Sequence, residues 1–127
     1  MITAVYAAGI ALLFVALSVR TIFLRSRLKL SIGHGDHPEL ERAVRAHSNF
    51  SEYVPLALLL IYFLETQSND SNLIHFLCIS LVAGRCLHAL GVSQTNEKTG
   101  LRIAGMAFTF VALISPATAL IRNALIG

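Results

Sequence analysis

Residues 2–19 and 103–121 are predominantly apolar and contain no Asp, Glu, Lys or Arg. About 20 such residues, wound as a helix, cross the hydrocarbon layer of a bilayer. No water is available there, so each backbone N–H and C=O must be satisfied within its own segment, and an isolated apolar run becomes a helix. Apolar runs this long are not the pattern of a helix buried in a soluble core. Composition points the same way, because only 13% of the 127 residues are charged while 55% are hydrophobic. Soluble domains carry about a quarter charged residues. The reading is an all-α integral membrane protein, and the length allows a single domain over residues 1–127.

Two further apolar stretches complete an antiparallel bundle of four transmembrane helices, at about residues 2–24, 39–65, 72–91 and 101–121. The middle two are decorated. The second is uncharged only over Tyr53–Leu64, and the third carries Arg85 and His88 in its second half. A helix of the second span's length rises about 39 Å, enough to cross the hydrocarbon and project a polar turn or two beyond it. Spans two and three therefore form the working interior, with one and four more exposed to lipid.

The connections have turn chemistry. Ser31–Pro38 is rich in glycine, Thr66–Asn72 is short and polar, and Val92–Gly100 forms a third loop. Three basic residues (Arg25, Arg27, Lys29) fall in or beside the first loop, none in the second, and Lys98 with Arg102 border the third. Basic loops stay in the cytoplasm, so the first and third loops are expected there, with Arg122 a minor indication to the contrary. The net charge of +3 is spread over connecting segments, which argues against a nucleic-acid partner. No positive residue precedes the first apolar run, so it is expected to remain as an anchor.

Cys78 and Cys86 lie on one span about 12 Å apart along its axis, too far for a disulfide. No metal is expected, since loop composition explains His34, Asp36 and His37 equally well. Gly9, Gly84, Gly91 and Gly105 suit close helix contacts, and Pro55 suits a kink.

Arg45, Asn49 and Glu52 fall at i, i+4 and i+7 at the polar end of span two. At about 100° per residue they share one helical stripe, from which His47 is turned away by about 200°. Arg85 and His88 end span three, Arg102 opens span four, and all meet the stripe at one membrane boundary. Ionisable groups at such depth are a functional-site hypothesis by default. Arg25, Arg45, Arg85 and Arg102 offer planar forks for carboxylates, Glu52 offers an anion for an ammonium, and Asn49 donates and accepts. The inventory suits a small zwitterion with two carboxylates and one amine. Each residue also has a plainer use: Arg45 and Glu52 as an ion-pair set between subunits, Arg85 as a snorkelling cation, His88 as packing, Arg102 as an interfacial anchor.

The run Arg45-Ala-His-Ser-Asn-Phe-Ser-Glu-Tyr-Val-Pro55, with Glu39 to Arg42 ahead of it, resembles the second-helix signature of the MAPEG family. This is the family of membrane-associated proteins in eicosanoid and glutathione metabolism. Gly84-Arg85-Cys-Leu-His88-Ala-Leu-Gly91 is similar to the end of helix three in its bacterial branch. The resemblance implies a homotrimer in the bacterial inner membrane, binding glutathione as co-substrate at subunit interfaces near the cytoplasm. It implies glutathione contacts from Arg45, Asn49, Glu52 and Tyr53, and Arg25 lies near a family arginine at the end of helix one. Arg85 and His88 join the expected binding residues because they meet the stripe at the same boundary. Arg102 resembles the arginine that stabilises the thiolate, which makes it the catalytic candidate. The implied activity is a transferase or peroxidase acting on lipophilic electrophiles that arrive through membrane lipid. The chain departs from the family near the end of helix three, where His88, Leu90 and Val92 stand in the region of the family's tyrosines. That departure keeps a non-catalytic binding or scaffold role open. Small four-helix drug exporters match in length but depend on an acidic residue in helix one, which has none here.

Overall fold

The computed structural model describes Met1–Gly127 and contains four helices and no strand. They are α1 (Ile2–Leu28), α2 (Pro38–Gln67), α3 (Ser71–Ser93) and α4 (Thr99–Ile126). Each runs past its apolar stretch, because polar turns outside the hydrocarbon continue the helix. Arg25 and Arg27 occupy the last turn of α1, where cations suit the negative end of the helix dipole. Lys29 then closes α1 in the left-handed region (φ 56°), and its N–H reaches Ser26 O. Pro38 opens α2 with Glu39 and Glu41 in the first turn. The Asp70 carboxylate accepts the Leu73 N–H at 3.1 Å and caps α3.

Contacts between helix ends establish the up-and-down order. Glu65 at the end of α2 accepts the N–H groups of Ile2 and Thr3, the latter at 2.9 Å. Tyr6 reaches His75 at 2.9 Å, placing the starts of α1 and α3 together. At the other end Arg20 donates to Ser93 Oγ at 2.6 Å, and Thr21 Oγ1 approaches Ala43 O at 3.5 Å. One end of the bundle therefore gathers the C-termini of α1 and α3 with the N-termini of α2 and α4. This is the basic end of the bundle.

Only α1, α3 and α4 are long and apolar enough by composition to cross a membrane on their own. The polar first half of α2 keeps it below that mark. Its apolar positions Leu40, Ala43, Ala46, Phe50, Val54, Ala57, Ile61 and Leu64 recur at three- and four-residue intervals and are all buried. α2 touches every other helix, while α1 and α4 do not meet. The apolar face of the charged helix is thus covered by its neighbours, while Glu41, Arg45 and Glu52 stay exposed.

α3 and α4 share the most extensive contact, and glycine makes it possible. A Cβ on Gly84 would sit 2.8 Å from Gly105 O, and one on Gly91 would sit 2.8 Å from Arg102 N. Backbone packs directly on backbone at both levels, as the expected close contacts require. Gly9 behaves differently, since a Cβ there would meet nothing within 4 Å of this chain. It lies on the open face of α1 and makes no helix contact within the chain.

Candidate functional site

At the basic end, α2, α3, α4 and the loop before α4 enclose a polar cleft of about 460 Å³. Arg45, Asn49 and Glu52 line it from α2, His88 from α3 and Arg102 from α4. Their assembly follows from the local folds. The α2 stripe keeps its three side chains on one face, and the close approach of Gly91 to Arg102 sets the start of α4 beside the end of α3. Neither Arg45 nor Glu52 joins an ion pair within the chain, whose three are Arg27–Glu39, Arg42–Glu97 and Arg102–Glu97. Both are exposed to the cleft, so both side chains remain available to a ligand.

Arg85 lies behind the cleft wall rather than in it. It is 1% exposed, with Nε and Nη2 donating to Thr109 Oγ1 at 3.1 and 2.7 Å. Nη1 donates to Asn49 Oδ1 at 2.5 Å, and Cζ stands 5.8 Å from the centre of the Tyr53 ring. Thr109 in turn donates to Gly105 O at 2.8 Å, so α3 is tied to both α2 and α4. No carboxylate pairs with Arg85; amide, hydroxyl and aromatic partners hold the cation instead. Arginine only donates, so it must meet the carbonyl oxygen of Asn49, which leaves the amide NH₂ available to the cleft.

Tyr53 and Arg25 are set apart from the cleft. The Tyr53 ring is half-buried against Phe110 with centroids 5.9 Å apart, on the Arg85 side of α2. Arg25 folds over the α1 C-terminus and donates to Gly33 O at 2.6 Å, where it braces the first loop. His47, turned away from the stripe, bonds Ser18 Oγ at 2.9 Å and stacks on Phe14. Nowhere do three or more His, Cys, Asp or Glu side chains come together as metal ligands.

Two residues that the sequence did not assign to the site prove central. Arg42 and Glu97 both line the cleft. The Glu97 carboxylate reaches Arg102 at 2.5 Å and Arg42 at 3.6 Å, spanning α2 and α4. Arg42 also donates to Val92 O at 3.2 Å. The start of α4 has no acidic residue in its first turn and no side-chain cap. Lys98 and Arg102 there oppose the positive end of the helix dipole, and Glu97 offsets them.

The comparisons agree with this architecture. The sequence profile of the MAPEG family matches residues 3–122. The chain belongs to the MAPEG family. It is 34% identical over 114 residues to the inner membrane protein YecN of Escherichia coli K12, covering 90% of this chain and 86% of the relative. The same protein from Escherichia coli O6:H1 aligns equally well. No solved structure matches. The match extends through all four helices, so every residue lining the cleft lies within the matched span.

Arg42 was legible in principle, being three residues before Arg45 and so on the same stripe. Glu97 was not, because a loop residue has no periodicity to place it. Of His88, Leu90 and Val92 near the end of α3, His88 and Val92 line the cleft while Leu90 is exposed elsewhere. No tyrosine lines the cleft of this chain.

Proposed function

We propose that this MAPEG protein binds glutathione in the cleft at the basic end and transfers it to lipophilic electrophiles. The observation that supports the reading is the meeting of Arg45, Asn49 and Glu52 with His88 and Arg102 around one cavity at the end of an apolar bundle. Glutathione carries two carboxylates for guanidinium forks and an ammonium for the Glu52 or Glu41 carboxylate. Arg102 beside the thiol favours the thiolate, which is the nucleophile. The sulfur then forms a bond to the electrophilic carbon, the leaving group departs with its electron pair, and the thiol proton passes to solvent. A lipid hydroperoxide is the other candidate electrophile, with a second glutathione completing reduction to the alcohol and glutathione disulfide.

The basic end faces the cytoplasm in this reading, by the excess of Arg and Lys around the first and third loops. The membrane is the bacterial inner membrane, as named for YecN. The working unit is a homotrimer, as the family resemblance implies.

Arg102→Ala tests the chemistry. Conjugation of a chloronitrobenzene substrate is expected to be lost while glutathione binding, followed by calorimetry in detergent, largely persists. Equal rates in the variant and the parent protein would rule out the thiolate role. A second reading, glutathione binding without turnover, rests on Val92 and the lack of a phenol in the cleft. Binding with no conjugation by the parent protein would favour it.

A further inference from the structure

We propose that Arg42 is a carboxylate subsite, and that Glu97 fills it as an internal stand-in, pairing with Arg102 as well, until the ligand's own carboxylate displaces it and frees Arg102. The inference rests on the glutathione reading above and adds what stands in the ligand's place when the site is empty. Glu97 bridges Arg102 on α4 and Arg42 on α2 at 2.5 and 3.6 Å, within the cleft itself. It belongs to neither helix: it sits in the five-residue connection Gln94–Lys98 between α3 and α4. The two guanidinium groups are differently committed. Arg42 has a second acceptor in Val92 O, whereas the Arg102 side chain, 46% exposed, has Glu97 alone.

An internal carboxylate at this place has two consequences. It satisfies cations that would otherwise repel across the empty cleft. It also neutralises Arg102, the residue assigned to hold a thiolate, so the charge needed for chemistry is masked until Glu97 leaves. Exchange of one carboxylate for another on Arg42 conserves that ion pair, and the departure of Glu97 frees Arg102 for the thiolate only when a carboxylate-bearing ligand arrives. The connection Gln94–Lys98 is then a latch that opens as the ligand binds. The ligand class is a peptide with a free carboxylate, and a neutral thiol would not open it.

The test compares E97Q with the parent protein by calorimetry. Three probes are used: glutathione, its glycyl monoethyl ester, and the analogue with 4-aminobutyrate in place of the γ-glutamyl residue. Each of the last two lacks one carboxylate. Loss of the competing internal ion pair is expected to tighten glutathione binding about fivefold. The gain should vanish for whichever probe lacks the exchanging carboxylate. Weaker binding of glutathione to E97Q, or an equal gain for all three probes, would overturn the exchange. Amide hydrogen exchange supplies a second readout. Glutathione should speed exchange across Gln94–Lys98 in the parent protein and leave E97Q, already fast, unchanged. Failure of both proteins to bind glutathione would sink the glutathione reading. Faster loop exchange in ligand-free E97Q would still show that Glu97 holds the connection in place in that case, and unchanged exchange would overturn the latch as well.

Discussion

Replacing Gly105 by alanine should separate α3 from α4. The new Cβ would lie 2.5 Å from His88 N, 2.7 Å from Gly84 O and 2.9 Å from His88 Cα. Ordinary contact begins at 3.4 Å, so the shortest approach falls about 0.9 Å short. All three atoms belong to the backbone, and no rotamer change can relieve the clash. The helices must move, and a gap of that size forfeits a quarter to a half of each nearby dispersion contact. Overpacking of this kind costs up to about 3 kcal/mol, and the helix preference of alanine over glycine returns about 1 kcal/mol. The expected net loss is about 2 kcal/mol, read as a lowered midpoint of unfolding in a denaturing-detergent titration. Gly9→Ala is the matched comparison, because its Cβ meets nothing within 4 Å and only the helix preference changes. Glutathione affinity should also fall in Gly105→Ala, since Arg102 and His88 ride on the two helices being forced apart. Equal stability of the two variants would refute the backbone-contact argument.

Arg85→Met should weaken glutathione binding about tenfold, because Asn49 loses the charged partner that orients its amide. The unfolding midpoint should move little, since removing an unpaired buried cation offsets the lost hydrogen bonds; calorimetry and detergent unfolding separate the two effects. Glu65→Gln should cost about 1 kcal/mol in the unfolding titration by weakening the cap on the Ile2 and Thr3 N–H groups. Glutathione affinity should be untouched there, because Glu65 lies at the end of the bundle away from the cleft.

The membrane bundle was legible because its cause is local. Uncharged runs at 2–19 and 103–121 have no other stable state in lipid, and the spacing of Arg45, Asn49 and Glu52 fixes a shared face wherever α2 packs. Glycines 84, 91 and 105 announced close contacts, yet Gly9 carried the same signal and faces open space, since a small residue does not reveal which side of its helix is covered.

Tertiary structure decided the division of labour among the arginines. Four guanidinium groups looked equivalent along the chain. Packing buried Arg85 behind Asn49 and Thr109, folded Arg25 onto Gly33, and left Arg45 and Arg102 in the cleft. It also brought Glu97 and Arg42, 55 positions apart in the sequence, within 3.6 Å of each other. Periodicity determines which face of a helix a side chain occupies. What that face meets is set by how α3 and α4 seat against α2, a relation between distant residues that no local pattern carries.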